Sequence, residues 1–149
     1  QRHVVWLGEG IEGDDTDGHV DDLARFVDAG TIVTAIESDP QDANFKVLQQ
    51  NRKRLARARD AEGRPFEVVE LPMPRPVVHE GMRLPATYVN FYFVNGALLV
   101  PTFGDRERDG EALRILRRVV TDRKVVGVDC RALIWGLGAI HCLTQQQPG

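Results

Sequence analysis

Three observations predict an α/β fold for this chain. A β-branched run, Thr31-Ile-Val-Thr-Ala-Ile36, is followed by a long amphipathic stretch from about Gln41 to Ala61. Asn95-Gly96, a dipeptide whose residues both tolerate positive φ, stands between two strand-like runs and signals a hairpin. The order is strand–helix–strand, then hairpin–helix–strand, so one kind of unit is used twice without a residue-level repeat. Such units build either a doubly wound sheet or a ring of repeats, and composition does not separate the two.

In chain order, Val4-Val5-Trp6-Leu7 reads as a short buried strand leading into an acidic loop. His19 to Phe26 reads as a short helix, with Leu23, Phe26 and Val27 at helical spacing. The long helix carries Phe45, Leu48 and Leu55 as its apolar stripe, with Asp39 or Asp42 as N-cap and Gly63 as its stop. Phe66 to Leu71 is another strand, broken by Pro72-Met-Pro-Arg-Pro76, and residues 77–86 read as loop. Thr87 to Val94 and Ala97 to Phe103 form the hairpin. Asp105 caps a helix reaching about Val120, with Leu113, Leu116 and Val120 on one face, and Lys124 to Val128 is the last strand.

The chain has 149 residues, the size of one domain, and is 42% hydrophobic and 28% charged, which suits a globular protein rather than a disordered one. No apolar run approaches the ~20 residues of a membrane span. The opening Gln-Arg-His-Val-Val-Trp has neither an initiating Met nor signal-peptide character, and reads as the inside of a longer protein. A net charge of −3 argues against a polyanionic partner and is compatible with a cationic substrate. Cys130 and Cys142 make no disulfide framework, so a reducing cytoplasm is expected.

Chemistry concentrates in two runs at opposite ends: Gly13-Asp-Asp-Thr-Asp-Gly-His-Val-Asp21 and Gly136-Leu-Gly-Ala-Ile-His-Cys-Leu-Thr-Gln-Gln-Gln-Pro148. They supply a thiol, imidazoles and carboxylates, a set suited to covalent attack on a planar cationic carbon such as that of a guanidinium. A free cysteine is most often a buried structural residue. Glycines upstream of Cys142 and the polar Thr144-Gln145-Gln146 downstream make a poor core segment, whereas Cys130 ends a strand and reads as structural. His19 can act as acid and base near neutral pH, and Asp21 can grip guanidinium nitrogens through charge-assisted hydrogen bonds, although His-x-Asp alone is a weak signal. A metal could in principle draw on His19, Asp21, His141 and Cys142, or Ca²⁺ on Asp14, Asp15 and Asp17. Neither a paired Cys-x-x-Cys nor regular Ca²⁺-loop spacing is present, and no metal or other cofactor is expected. His141 reads as a residue that holds the loop, since neighbours on an extended chain point opposite ways. The basic cluster Lys46, Arg52, Lys53, Arg54, Arg57 and Arg59 spreads around its helix and reads as a solvated face, not a nucleic-acid surface. Asn90 faces either core or site; alternation does not say which.

These two runs, with Tyr88-Val-Asn-Phe-Tyr-Phe-Val-Asn-Gly96 and Val100-Pro-Thr-Phe-Gly-Asp105, closely resemble the C-terminal part of the agmatine deiminase and bacterial-type peptidylarginine deiminase family. The resemblance implies a partial α/β propeller (pentein) of ββαβ-type units, about two of the five present. It implies Cys142 as nucleophile at the guanidinium carbon, leaving an S-alkylthiouronium for water to hydrolyse. His19 would be the acid/base, Asp21 the guanidinium binder, and Asp15, Thr16, Leu137 and Gly138 would line the substrate site. Agmatine, yielding N-carbamoylputrescine and ammonia, is the expected substrate, with peptidyl-arginine as the alternative. A non-catalytic remnant of the same fold, and a Cys–His hydrolase of esters or peptides, are the rivals. Two departures stand out. The family's N-terminal half is missing, with another guanidinium-binding Asp and the carboxylate partner of the catalytic His. Leu137 also stands where the family usually has glycine, although leucine tolerates positive φ poorly. An isolated piece of a ring exposes strand edges, so the chain is expected to self-associate or to pair with the missing half.

Overall fold

In a computed structural model, described for residues 4–16, 18–145 and 147, two three-stranded sheets of the same topology carry the molecule. In the first, β1 (Ala24–Phe26) pairs antiparallel with β2 (Thr31–Ile36), and β2 pairs parallel with β3 (Glu67–Pro72) after a crossover through α2 (Phe45–Arg57). A small hairpin, β4 (Val78–His79) and β5 (Met82–Arg83), follows. The second sheet repeats the first: β6 (Tyr92–Val94) lies antiparallel to β7 (Ala97–Thr102), which is parallel to β8 (Lys124–Asp129) after a crossover through α3 (Arg106–Val119). The hairpin–helix–strand unit is therefore used twice, and the α/β expectation holds. Asp17 and Gln146, from the acidic loop and the Thr-Gln-Gln run, lie outside the described residues.

Alternation and helical spacing place the core. Leu48 on α2, Leu116 and Ala112 on α3, and Val33, Leu71, Leu98 and Val100 on the strands are fully buried in one continuous cluster. Between the two units runs Thr87–Phe91, wholly buried, with Tyr88 and Phe91 among its largest side chains. The Tyr88 hydroxyl donates to Asp109 Oδ1 at 2.7 Å, which satisfies the polar end of an otherwise enclosed ring. Asp105 caps α3 as expected, accepting the Arg108 N–H at 3.2 Å.

Several elements differ from their sequence reading. Val4–Leu7 forms no strand: Trp6 is 80% exposed, and the segment is tethered by Asn51 of α2, which accepts from Gly8 N–H and donates to the Glu9 carbonyl. The helix expected over His19–Phe26 is only one turn, α1 (Val20–Leu23), because residues 24–26 find a strand partner in β2. Leu23 is buried and Phe26 exposed, as that switch requires. The long helix begins four residues late. Asp39 and Asp42 turn the preceding loop, accepting from Gln41 and Asn44 N–H, rather than capping the helix. It ends at Arg57, and Gly63 (φ 81°) sits in the turn beyond. Residues 77–86 are not all loop, since Glu80 and Gly81, both at positive φ, close the β4–β5 hairpin. Arg83 anchors that hairpin to the base of α2 with two 2.9 Å bonds to Asp42. Among the described residues no helix is long and apolar enough to cross a membrane.

Candidate functional site

The two chemistry-bearing runs meet at the buried Thr87–Phe91 segment. Asn90, fully enclosed, is the junction. Its Oδ1 accepts the N–H of His141 at 2.9 Å and of Cys142 at 3.3 Å, and its main-chain carbonyl also accepts from His141 N–H at 3.2 Å. These bonds hold the one-turn 3-10 segment His141–Leu143 in place. On the other side Nδ2 lies 3.0 Å from Asp21 Oδ2, 2.9 Å from Asp22 Oδ1 and 3.0 Å from Cys142 Sγ. The orientation of the amide follows from its neighbours: turned over, it would set NH₂ against two N–H groups and oxygen against two carboxylates.

Asp21 receives three donors on one oxygen. His141 Nδ1 is 2.6 Å from Oδ2, the Cys142 thiol 3.4 Å and Asn90 Nδ2 3.0 Å, while Oδ1 takes part in none of these bonds. The structure therefore brings together Cys142 and Asp21, as the sequence reading required. It corrects His141: the segment is a tight helical turn rather than extended, so both His141 and Cys142 face Asp21.

Burial pushes the Asp21 carboxyl up, but the hydrogen bonds from His141 and Cys142, with the charge of a protonated His141, leave it below the ordinary value. Its neighbour goes the other way. Asp22, almost without solvent contact, is pushed up to about 7 by burial and by the negative charge of Asp21, against the pull of the Asn90 hydrogen bond. Cys142 is exposed, yet enclosure of its sulfur raises the thiol above its usual pKa. The Asn90 N–H lowers it, while Asp22 and Asp21 raise it further. A cation in the site would oppose these carboxylates and favour the thiolate.

His19 stands apart. Its N–H donates to Asp14 Oδ2 at 2.7 Å, its Nδ1 is 3.7 Å from Asp14 Oδ1, and half of its side chain is exposed. Asp14 also accepts the Thr16 N–H at 3.0 Å and hydroxyl at 2.8 Å, so Thr16 serves the loop's own turn, and Asp15 is exposed on the same loop. Burial raises the Asp14 pKa, but these bonds outweigh it and hold the carboxyl below its ordinary range. The polar atoms of Asp14, His19 and Asp22 lie within 4.8 Å of one another, as do those of Asp21, Asp22 and Cys142. Asp22 is common to both groups, although its side-chain hydrogen bond is to Asn90. Both sets could offer ligands to a metal, but their carboxylates already accept N–H groups of the chain, a donor pattern that competes with a cation.

Two glycine-region features shape the cysteine's side. Leu137, terminating the 3-10 segment Leu133–Gly136, has φ 62° and ψ 25°, the left-handed conformation that explains why glycine suits this position. Gly138 allows close approach, since a Cβ there would stand 2.7 Å from Cys142 Cβ and 3.2 Å from Sγ. Beside Asp21 and His141 opens an apolar cleft of about 420 Å³, lined by Val5, Val20, Phe26 and Leu55. Cys130 is fully buried, its N–H bonded to the Thr102 carbonyl, in keeping with a structural role. Sequence reasoning does not single out Asp22 and does not place Asn90 in core or site. The available signals were the Asp21-Asp22 doublet opening a one-turn helix and a lone amide in an apolar run.

The chain is similar to known proteins along nearly its whole length. The family model for Porphyromonas-type peptidyl-arginine deiminase matches residues 1–148. The agmatine deiminase of Stutzerimonas stutzeri is 42% identical over 163 residues, spanning 97% of this chain and 44% of that protein. The structure of the agmatine deiminase of Enterococcus faecalis superposes with a TM-score of 0.88 at 34% identity, covering 97% of this chain and 44% of that one. A substrate-bound C. jejuni agmatine deiminase gives 0.84 at 38%, covering 94% and 40%. The chain spans less than half the length of the curated relatives it matches. It belongs to the Porphyromonas-type peptidyl-arginine deiminase family.

Proposed function

We propose that this chain is the nucleophile-bearing, C-terminal part of a guanidinium hydrolase that converts agmatine and water into N-carbamoylputrescine and ammonia. One observation carries the reading: Cys142 Sγ, the Asp21 carboxylate and Asn90 converge within hydrogen-bond reach from three separate parts of the chain. Supporting it are the relatives and solved structures described as agmatine deiminases. The two sheets would be two of the five units of a propeller whose centre is the site, all within a single catalytic domain.

The chemistry follows from the groups present. Asp21 Oδ1, which takes no part in the bonds to His141, Cys142 and Asn90, accepts guanidinium N–H groups and sets the cation beside Sγ. The thiolate attacks the guanidinium carbon, forming a C–S bond. The C–N bond to one terminal nitrogen breaks, and His19 delivers the proton with which that nitrogen leaves as ammonia. Water, giving one proton back to His19, adds to the thiouronium carbon; the C–S bond then breaks to release the thiolate, and the remaining hydroxyl proton passes through solvent to the ammonia, leaving the neutral ureido product and ammonium. Asp15, Thr16, Leu137 and Gly138 border the path of the substrate, and no cofactor takes part. Peptidyl-arginine is the second substrate, favoured by the family description alone. Two free cysteines suit the cytoplasm.

Ammonia and N-carbamoylputrescine should appear when the chain is incubated with agmatine and should be lost in Cys142→Ser. Absence of both products from the unaltered chain would favour the inactive-fragment reading instead.

A further inference from the structure

We infer that Asn90 is the positioning residue of the nucleophile, fixing Cys142 beside Asp21 and donating to its sulfur once the thiol ionises. The inference rests on Cys142 being the nucleophile. Its geometric basis is the count of hydrogens: Nδ2 carries two, yet three acceptors surround it at 2.9–3.0 Å.

While Cys142 is a thiol, its S–H points to Asp21 Oδ2 and the two amide hydrogens satisfy Asp21 and Asp22. Ionisation breaks the S–H bond, the proton leaving to solvent on the exposed side, and the sulfur changes from donor to acceptor. An Asn90 hydrogen is then shared with it, already in place because Oδ1 is pinned by the His141 and Cys142 N–H groups. The reorganisation accompanying ionisation is therefore small. The charged and titratable groups facing this sulfur are Asp21 and Asp22 on α1, Arg25 on β1 and His141 on its own segment. Arg25 is turned to the Phe91 carbonyl and ring, leaving Asn90 as the neutral side-chain donor at the sulfur, beside the main-chain N–H of Ala139.

The test is the pH dependence of iodoacetamide alkylation at Cys142, read by peptide mass with buried Cys130 as reference. It needs no guanidinium substrate, so it stands even if the chain proves inactive towards agmatine. Asn90→Asp should raise the alkylation midpoint by about one pH unit and slow the reaction at pH 7 about tenfold. The exchange Asp22→Asn with Asn90→Asp restores the charge count and the bond between positions 22 and 90, but not the donor to sulfur. It should recover the urea unfolding midpoint while keeping the raised alkylation midpoint. Recovery of both, or an Asn90→Asp chain alkylated like the parent, would overturn the assignment. Should these variants not fold, NMR of the unaltered chain decides. The Asn90 side-chain amide signal should shift with the Cys142 alkylation midpoint, a step missing in Cys142→Ser. An amide signal indifferent to that ionisation would equally overturn it.

Discussion

Gly138 and Cys142 approach so closely that a methyl group on Gly138 would stand 2.7 Å from the Cys142 Cβ. Only a residue without Cβ lets the 3-10 turn fold back and aim the sulfur at Asp21. Gly138→Ala should therefore displace the thiol and lower Cys142 alkylation by about a hundredfold, the scale expected for a misplacement near 1 Å. The thermal transition should fall as well, since Gly138 is buried and its neighbours Leu137 and Ala139 pack in the main cluster. Alkylation kinetics and melting on the same sample check both halves.

Leu137 holds its left-handed conformation against a steric cost of about 1–2 kcal/mol. Replacing it by glycine or by alanine removes nearly the same packing, but only glycine relieves the backbone. Leu137→Gly should thus be more stable than Leu137→Ala by about 1 kcal/mol, the reverse of their order in a helix interior. Urea unfolding of the two variants side by side measures the difference.

Asp22 imposes a pH dependence on stability. Its carboxyl is raised to about 7 in the folded chain and is ordinary when unfolded, so between about pH 4 and 7 the folded state binds the extra proton. The stability this proton provides is complete below pH 4, falls as pH rises to 7, and is lost above it. The shift corresponds to a few kcal/mol at most. Asp21, whose pKa is depressed, acts with the opposite sign and below this window, its contribution present above about pH 4 and lost on further acidification. Asp22→Asn should flatten the decline between pH 5 and 7.5 in urea unfolding. An unchanged slope would contradict the burial argument.

Asp14 organises the loop that carries His19, through bonds to the N–H groups of Thr16 and His19 and to the Thr16 hydroxyl. Asp14→Ala should leave Cys142 alkylation near the parent rate, yet abolish most ammonia release from agmatine, because only the half proposed to supply the acid/base is loosened. Comparing the two assays on one preparation separates the halves of the site.

Trp6, Val5, Val20 and Phe26 leave apolar surface exposed beside the cleft, next to the unpaired edge of β1. We expect the chain to self-associate at micromolar concentration, or to bind a chain corresponding to the rest of its relatives' length. Sedimentation equilibrium tests this, and a compact monomer throughout the concentration range would count against it.

Much of the fold was legible in the residues. Thr31–Ile36 is a strand because β-branched side chains fill both faces, and Asn95-Gly96 turns between β6 and β7 with Gly96, not Asn95, at positive φ. What failed depended on partners far along the chain. Val4–Leu7 has strand composition but no strand to pair with, and residues 24–26 leave a helical pattern because β2 lies alongside. The ends of the site were legible as Cys142 and Asp21. Their connection was not, since it runs through Asn90, whose hydrogen bonds to the site span 51 to 69 residues and whose neighbours give only an apolar run.

The most direct test of Cys142 as nucleophile is acid quenching during reaction with agmatine, followed by mass analysis of the Cys142 peptide. The expected result is an adduct equal to agmatine less one ammonia, on Cys142 alone, absent in Cys142→Ser. Ammonia released with Cys142 unmodified, or undiminished in Cys142→Ser, would contradict it.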